Sequence, residues 1–295
     1  MAKGEWMKKG LVFSISTVLV ASFILLFAAF YAQKVQAEEN SVYKNFETEK
    51  AGFVAEDITG DINSILGTQI DANRSQTNLA ISFFDQLPPK TAKNELTDYN
   101  AFVFGTYSVQ QNAKISMNID RLADGKTELL FSNGPQYDFD YSGTQNSASF
   151  YRQGTDTGTT GYDINVFVSG AKLASTNSFG WSCFASGTDV KLHFEDSFGN
   201  TIDSSCKHNP DILDQYIFLF ENKTGQITVN FGSVSSNPNA VKIQNTLQDT
   251  SVTAATAIKA TMPAPAQEIS WQYDADLNYS QGDTNISRKI ELGRS

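Results

Sequence analysis

Two cysteines and two histidines are the residues of this sequence best suited to covalent or metal chemistry, and they lie in one region. Cys183, His193, Cys206 and His208 give the spacing Cys-x9-His-x12-Cys-x-His. Two thiolates and two imidazoles can bind zinc, but this spacing matches no familiar zinc motif. An even pair of cysteines outside the cell most simply forms a disulfide, and a loop of about 22 residues would gain about 3 kcal/mol. We therefore predict a Cys183–Cys206 disulfide and no metal site, with zinc or free thiols as the alternatives.

Acidic residues at alternate positions form a second candidate group. Asp274, Asp276 and Asn278 have the spacing that opens a calcium loop, but the loop's glycine at the sixth position and glutamate at the twelfth are missing. Alternation along a strand explains the spacing better, because every second residue faces the same side. Asp138 and Asp140 either contact a glycan or simply end a strand.

The sequence gives little support for catalysis. It contains no Gly-x-Ser-x-Gly, no glycine-rich phosphate loop and no His-Glu-x-x-His. A Ser–His–Asp triad would need His193 or His208, and neither lies in a recognisable signature. A carboxylate pair for glycoside hydrolysis stays open, since such pairs meet only in the fold. We expect a protein that is not an enzyme and has no cofactor, and the net charge of −10 argues against nucleic-acid partners.

Four Asn-x-Ser/Thr sequons are possible glycosylation sites, provided that they lie outside the membrane. Any one of them is also common by chance and could remain unmodified polar surface. They are Asn73, Asn222, Asn278 and Asn285.

The N-terminal region must then position all of these residues relative to a membrane. Residues 11–32 carry no charge, and about 22 residues of helix span about 33 Å, close to the thickness of a bilayer core. A secretory signal has a shorter apolar stretch, which disfavours cleavage after Ala37. Lysines precede the segment and Glu38 and Glu39 follow it, so the charge bias predicts an internal N-terminus and an external remainder.

A short hydrophilic leader ends in Lys9-Gly10, directly before Leu11 and the apolar helix. This arrangement resembles the class III signal of type IV pilin-like proteins, particularly the archaeal ones. The resemblance implies that a prepilin peptidase cuts after Gly10 and leaves Leu11 as the mature N-terminus. Bacterial type IV pilins carry Glu at the fifth mature position, which here is Ile15; archaeal relatives commonly lack that Glu.

The apolar segment continues into a predicted amphipathic helix. No proline occurs before Pro88, and Gly67 is a suitable helix stop, so one helix of about 55 residues and about 80 Å can run from residue 11 to 66. The resemblance implies that its first half packs in a filament core and its second half lies on the head. A plain membrane anchor with a helical stalk is the alternative. The apolar residues at helical spacing are Val42, Phe46, Phe53, Val54, Ile58, Ile62 and Leu66.

Beyond the helix, short alternating apolar runs are separated by turn-rich pieces, which predicts many β-strands. The first strand is predicted at 78–87, a linker at 87–95, and the longest strand at 269–279. The run QYIFLF at 215–220 does not alternate and is predicted to be a central strand buried on both faces.

The predicted fold is therefore α+β: a long N-terminal hydrophobic and amphipathic helix followed by an all-β ectodomain, as an Ig-like or jelly-roll-like β-sandwich. The expected segments are a leader (1–10), a transmembrane or filament-core helix (11–37), a stalk helix (38–67) and a head (68–295) of one or two β-units.

The expected function is that of a structural subunit of a type IV pilus-like cell-surface filament, located either in the membrane with its head outside or in the extracellular filament after cleavage. Its partners would be the lipid bilayer, prepilin peptidase, and copies of itself or related pilins through residues 11–66. Ser14, Ser16, Ala21 and Ala28 would permit close helix packing. The alternative is a single-pass surface protein whose head binds a glycan or a protein.

Overall fold

The computed structural model describes residues 3–67, 69–87, 93–141, 145–175, 178–179, 181–282 and 284–294, with the backbone alone for 3–16, 40, 86–87, 178–179 and 292–294. The chain divides into two compact units, Met1–Phe53 and Val54–Ser295. The fold class is the predicted one, a long N-terminal helix followed by a β-rich head with sandwich-like sheets.

One helix, α1, spans Lys3–Leu66. It ends where the sequence predicts, because Gly67 adopts a positive φ of 65° and donates its N–H to the carbonyl of Asn63 at 2.9 Å. Within the second unit, Val54, Ile58 and Ile62 are buried, which confirms the predicted stripe, whereas Leu66 is partly exposed.

The predicted linker at 87–95 is wrong at its C-terminal end, since a helix begins at Lys93; residues 88–92 lie outside the described residues. Three further helices and a π-helical turn follow α1. They are α2 (Lys93–Phe102), the π turn (Val103–Tyr107), α3 (Ser108–Gln111) and α4 (Asp120–Ala123).

The described residues also form sixteen strands. They are β1 (Gln69–Arg74), β2 (Asn78–Leu87), β3 (Lys114–Asn118), β4 (Lys126–Phe131), β5 (Gln136–Asp140), β6 (Asn146–Tyr151), β7 (Gly161–Ser169), β8 (Ser178–Phe179), β9 (Thr188–Asp196), β10 (Thr201–His208), β11 (Asp214–Leu219), β12 (Gln226–Val234), β13 (Asn237–Asn245), β14 (Thr253–Pro263), β15 (Ser270–Gln281) and β16 (Thr284–Arg294).

The strands form two sheets. The six-stranded sheet has the order β1-β2-β14-β7-β9-β10, antiparallel except for the parallel pair β7–β9. The ten-stranded sheet has the order β16-β15-β4-β5-β6-β13-β12-β11-β8, with β3 also paired to β15. The predicted first strand is β2, with β1 before it in the chain.

Aromatic residues from both sheets meet to form the core of the sandwich. Phe83 of β2 stacks on Tyr137 of β5 with ring centroids 4.0 Å apart, and Phe194 of β9 stacks on Phe218 of β11 at 4.1 Å. Such pairs add about 0.5–1.5 kcal/mol to the energy of burial alone. The alternating apolar residues that predicted the strands are therefore those that face the interior of the sandwich.

The predicted burial of 215–220 on both faces is wrong. This run is β11, whose residues alternate between buried and partly exposed, and its neighbour on one side is the two-residue strand β8. The adjacent strand β12 is the one buried on both faces, from Ile227 to Gly232.

Candidate functional site

The first candidate site is the apolar segment of α1, here defined as residues 17–31. Its large apolar side chains are 54–73% exposed and lie on every side of the helix. The hydroxyl of Ser22 donates to the carbonyl oxygen of Val18 at 2.8 Å, so this polar group has a partner within the helix itself. A helix that is apolar all round needs an apolar environment. The exposed residues are Val18, Leu19, Val20, Phe23, Ile24, Leu25, Leu26, Phe27, Phe30 and Tyr31.

Among the described residues, α1 is the one helix long and apolar enough to cross a membrane. The segment ends at the ion pair of Lys34 with Glu38, whose nitrogen and oxygen are 3.8 Å apart. The backbone of Lys9, Gly10 and Leu11 is helical, and their side chains lie outside the described residues.

A second apolar surface follows on the same helix, beyond the apolar segment. Val42, Phe46 and Phe53 are 63–70% exposed, and their spacing places them on one side of the helix. We call these three residues the stalk stripe. The sequence predicted this spacing; within the unit Met1–Phe53 the structure leaves the three side chains uncovered.

The third candidate is a groove of about 560 Å³ beside the six-stranded sheet, lined by exposed strand residues, by buried ones such as Phe139, and by the C-terminal end of α1 at residues 64–67. Strand register aligns Phe84, Ala257, Asn165 and His193 in one row across β2, β14, β7 and β9. The small side chains of Ala255 and Ala257 leave space between the half-exposed rings of Phe84 and Phe167. We call this feature the head groove.

Charged groups lie at both ends of the head groove. His193 Nδ1 lies 2.7 Å from Asp203 Oδ1, and this hydrogen bond raises the pKa of His193. At the other end, burial raises the pKa of Asp85 to about 6, partly opposed by the hydrogen bond that Tyr137 donates. Aromatic rings beside carboxylates and an imidazole suit a ligand with an apolar face and polar edges, such as a sugar or a peptide.

The outer face of the ten-stranded sheet carries the acidic residues that the sequence singled out. Burial raises the pKa of Asp138 to about 6, while Tyr151 donates a hydrogen bond to it at 2.6 Å. Asp138 and Asp140 line a shallow hollow of about 360 Å³ with Lys242. The hollow is polar, and the sheet beneath it is regular.

The calcium-like spacing is explained by strand alternation. Asp274 accepts from Arg121 at 2.5 Å and from Lys289 at 2.6 Å, and Lys289 also lies 3.2 Å from Asp276. These carboxylates therefore serve ion pairs across the sheet surface. Among the described residues, no three His, Cys, Asp or Glu side chains are placed to hold one metal ion.

The structure joins Cys183 and Cys206 in a disulfide. It separates the two histidines, since His208 lies 3.2 Å from the sulfur of Cys206, whereas His193 pairs with Asp203 on the outer face. The four residues of the Cys/His pattern are thus not brought together as zinc ligands.

All four predicted glycosylation sites lie on exposed surface. Asn73 is in β1, and Asn222 occupies a turn with a φ of 55°. Asn278 and Asn285 lie on the neighbouring strands β15 and β16, so they share one edge of the ten-stranded sheet.

Sequence reasoning missed the head groove, and its row of residues shows why. Phe84 and His193 come from strands far apart in the chain, brought together by β14 and β7 between them. Alternation marks each of these residues as outward-facing, but strand order is needed to align them.

Comparison with protein-family models, with curated proteins and with solved structures finds no match. The functional argument therefore rests on the geometry above.

Proposed function

We propose that this chain is a structural subunit of a cell-surface filament, which assembles through its N-terminal helix and displays the β-sandwich head. The observation that carries the proposal is the stalk stripe. A membrane anchor alone gives the apolar segment its apolar surroundings, but it leaves Val42, Phe46 and Phe53 in water. Packing against neighbouring copies would cover both surfaces.

The apolar segment is compatible with such packing. Ala21 and Ala28 are seven residues apart and therefore lie on one side of α1, where small side chains permit close approach of another helix. Burying an exposed Phe or Val side chain contributes about 1.5–3 kcal/mol, so a few such side chains per subunit suffice for stable association.

The leader supports the same proposal. Processing after Gly10, as the resemblance to archaeal type IV pilins implies, would remove the charged residues that precede Leu11. The new N-terminus would begin directly with the apolar helix, ready to leave the bilayer for the filament.

Mass spectrometry of the native N-terminus tests this proposal. A chain that begins at Leu11 is the expected result. A chain that begins at Met1 would contradict processing and favour a permanent anchor. A chain that begins at Glu38 would have lost the assembly helix and would contradict both.

A second candidate function is favoured by the head groove. In this alternative the chain stays an uncut single-pass surface protein, and the groove between Phe84 and Phe167 binds a glycan or a protein segment. It predicts an N-terminus at Met1 and a monomer in mild detergent, so the same experiment separates the two.

A further inference from the structure

A buried histidine and aspartate lie directly against one sulfur of the disulfide. His208, at the end of β10, is 0% exposed, and Asp214, at the start of β11, is 2% exposed. Their side chains meet between the two sheets, with His208 Nδ1 2.7 Å from Asp214 Oδ2. Buried polar groups are costly unless they are hydrogen-bonded, and these two groups are hydrogen-bonded to each other.

The hydrogen bonds of this pair fix the orientation of the imidazole. Asp214 Oδ2 accepts from Nδ1–H, and its other carboxylate oxygen accepts from the backbone N–H of Ser182 at 3.3 Å. The remaining ring nitrogen, Nε2, lies 3.2 Å from Cys206 Sγ. In the protonated ring this nitrogen carries the hydrogen that faces the sulfur, because the carboxylate holds the other.

Aromatic rings enclose the imidazole and keep it in place. Trp181 packs edge-on at 4.5 Å between ring centroids, and Phe231 packs at 5.3 Å. Among the described residues, Asp214 is the one charged group within hydrogen-bonding distance of the ring. A charge-assisted contact in such a dry site is stronger than the same contact in water.

The two sulfurs differ in access. Cys183 lies in an exposed segment between β8 and β9, whereas Cys206 is partly buried on the side of β10 that carries His208. In thiol–disulfide exchange, the rate depends on which sulfur can be reached and on how well the other leaves as a thiolate. Here Cys183 is the more exposed residue of the two, and the sulfur next to the imidazole is that of Cys206.

We propose that the Cys183–Cys206 disulfide is an exchange site, at which an external thiolate attacks Cys183 and Cys206 leaves as a thiolate held by His208 and Asp214. The attacking sulfur forms a new S–S bond to Cys183, and the electron pair of the broken bond goes to Cys206. The Nε2–H of the His208 imidazolium donates a hydrogen bond to that thiolate. A second external thiolate then attacks the external sulfur of the mixed disulfide, and Cys183 leaves as a thiolate. Two external thiols are thereby oxidised to a disulfide, and the protein disulfide is reduced.

The geometry gives the substrate class, which is a thiol. The location rests on the proposed function, which puts the head outside the cell, so the thiol is either a small external molecule or the cysteine of another surface protein. His208 contacts the reacting sulfur, and Asp214 is a positioning residue that acts through it.

The first test is the site of the mixed disulfide in the unmodified full-length protein in mild detergent. Brief exposure to glutathione, alkylation of the freed thiol and peptide mass spectrometry would locate the adduct. Glutathione on Cys183 and the alkyl group on Cys206 is the expected result. An adduct on Cys206, or equal amounts on both, would overturn the proposal.

The second test is the rate of exchange in the variants His208→Gln and Asp214→Asn, with Asp211→Asn as the matched control. Asp211 lies between His208 and Asp214 in the chain, but its side chain is exposed. We expect both site variants to slow the reduction about tenfold or more, and the control to match the unmodified protein. Equal rates in all four proteins would overturn the proposal.

A conservative variant separates a chemical role from a structural one. Asp214→Glu keeps the carboxylate that accepts from Nδ1–H, whereas Asp214→Asn removes its charge, so the disulfide of Asp214→Glu should be reduced faster than that of Asp214→Asn. Thermal unfolding of each variant would show that the head is folded. Equal rates in these two folded variants would contradict the positioning role of Asp214.

Discussion

Asp85 lines the head groove and also contacts the core of the head through Tyr137. It follows Phe83 by two positions in β2, so its carboxylate points toward the sandwich interior, where Tyr137 donates to it. Burial raises its pKa to about 6 despite this hydrogen bond. The native state therefore holds a proton that the unfolded chain has already released at the same pH.

The sign of the pH effect follows from this raised pKa. Between about pH 4, where an ordinary aspartate ionises, and about pH 6, stability should fall as the pH rises. We predict that Asp85→Asn removes about 2 kcal/mol of this decline, as measured by thermal unfolding of the full chain at both pH values.

Tyr137→Phe is a control that should change the pH dependence of stability in the opposite direction. Because the tyrosine hydroxyl lowers the pKa of Asp85, its removal should move the decline toward higher pH. Asp138, whose pKa burial also raises to about 6, contributes a similar decline that neither variant touches. An unchanged pH profile in Asp85→Asn would show that Asp85 ionises as freely in the native state as in the unfolded chain.

At the scale of elements, the π turn Val103–Tyr107 explains how α2 and α3 fit against the head. It adds one residue to the helical repeat, with the N–H of Ser108 donating to the carbonyl oxygen of Val103. Val103 and Ser108 are both buried as a result. The hydroxyl of Ser108 donates to the same carbonyl at 2.8 Å and accepts from the N–H of Ile115 in β3 at 3.2 Å.

We predict that Ser108→Ala destabilises the head by about 1–3 kcal/mol, because a buried N–H loses its acceptor. Thermal unfolding and amide exchange of residues 103–118 would measure the effect.

Thr97→Ala, in the preceding helix α2, is the matched control. Its hydroxyl also donates to a backbone carbonyl, that of Lys93 at 2.8 Å, but it is exposed to water. We expect a change within about 0.5 kcal/mol. If the two variants behave alike, the contact between the π turn and β3 does not stabilise the head.

These elements also show which parts of the fold the sequence could predict. Strands such as β2 and β15 alternate strictly because one face is buried, and their positions follow from that pattern. The helices α2 and α3 were missed because the π turn breaks the 3.6-residue period, and β1 because a short, polar edge strand has no period. Whether the outward face of β11 is buried depends on which elements pack against it, and the residues of β11 alone do not indicate this.

At the scale of the whole molecule, the proposal of filament assembly rests on the stalk stripe. We predict that the triple variant Val42→Ser, Phe46→Ser and Phe53→Ser assembles at least tenfold more weakly, while its head still folds. A tenfold change corresponds to about 1.4 kcal/mol, and burial of each of these side chains contributes more free energy than that. Electron microscopy and sedimentation of the sheared surface fraction would measure assembly.

Phe198→Ser is the control for the loss of an exposed aromatic ring. Phe198 is 63% exposed in the turn between β9 and β10, and it lies on the head rather than on the helix. It should leave assembly unchanged. Normal filaments from the triple variant would mean that the stalk stripe is not an assembly surface.

The candidate sites differ in how far the sequence determined them. The apolar segment and the stalk stripe lie on one helix, so residue spacing alone locates them. The head groove depends on contacts between strands that are distant in the chain, and spacing could not predict it. His208 and Asp214 are close in the chain, but they lie on strands of different sheets, and spacing does not show that their side chains meet.

The position of β14 has a consequence for how the protein is made. This strand lies between β2 and β7 in the six-stranded sheet, and its Pro263 pairs with Asn78. During synthesis, β2 and β7 emerge long before the strand that joins them, and each exposes an unpaired edge in the meantime. The sheet can close only when nearly the whole chain has left the ribosome, so a chain interrupted before residue 253 would carry a complete N-terminal helix and a head unable to fold.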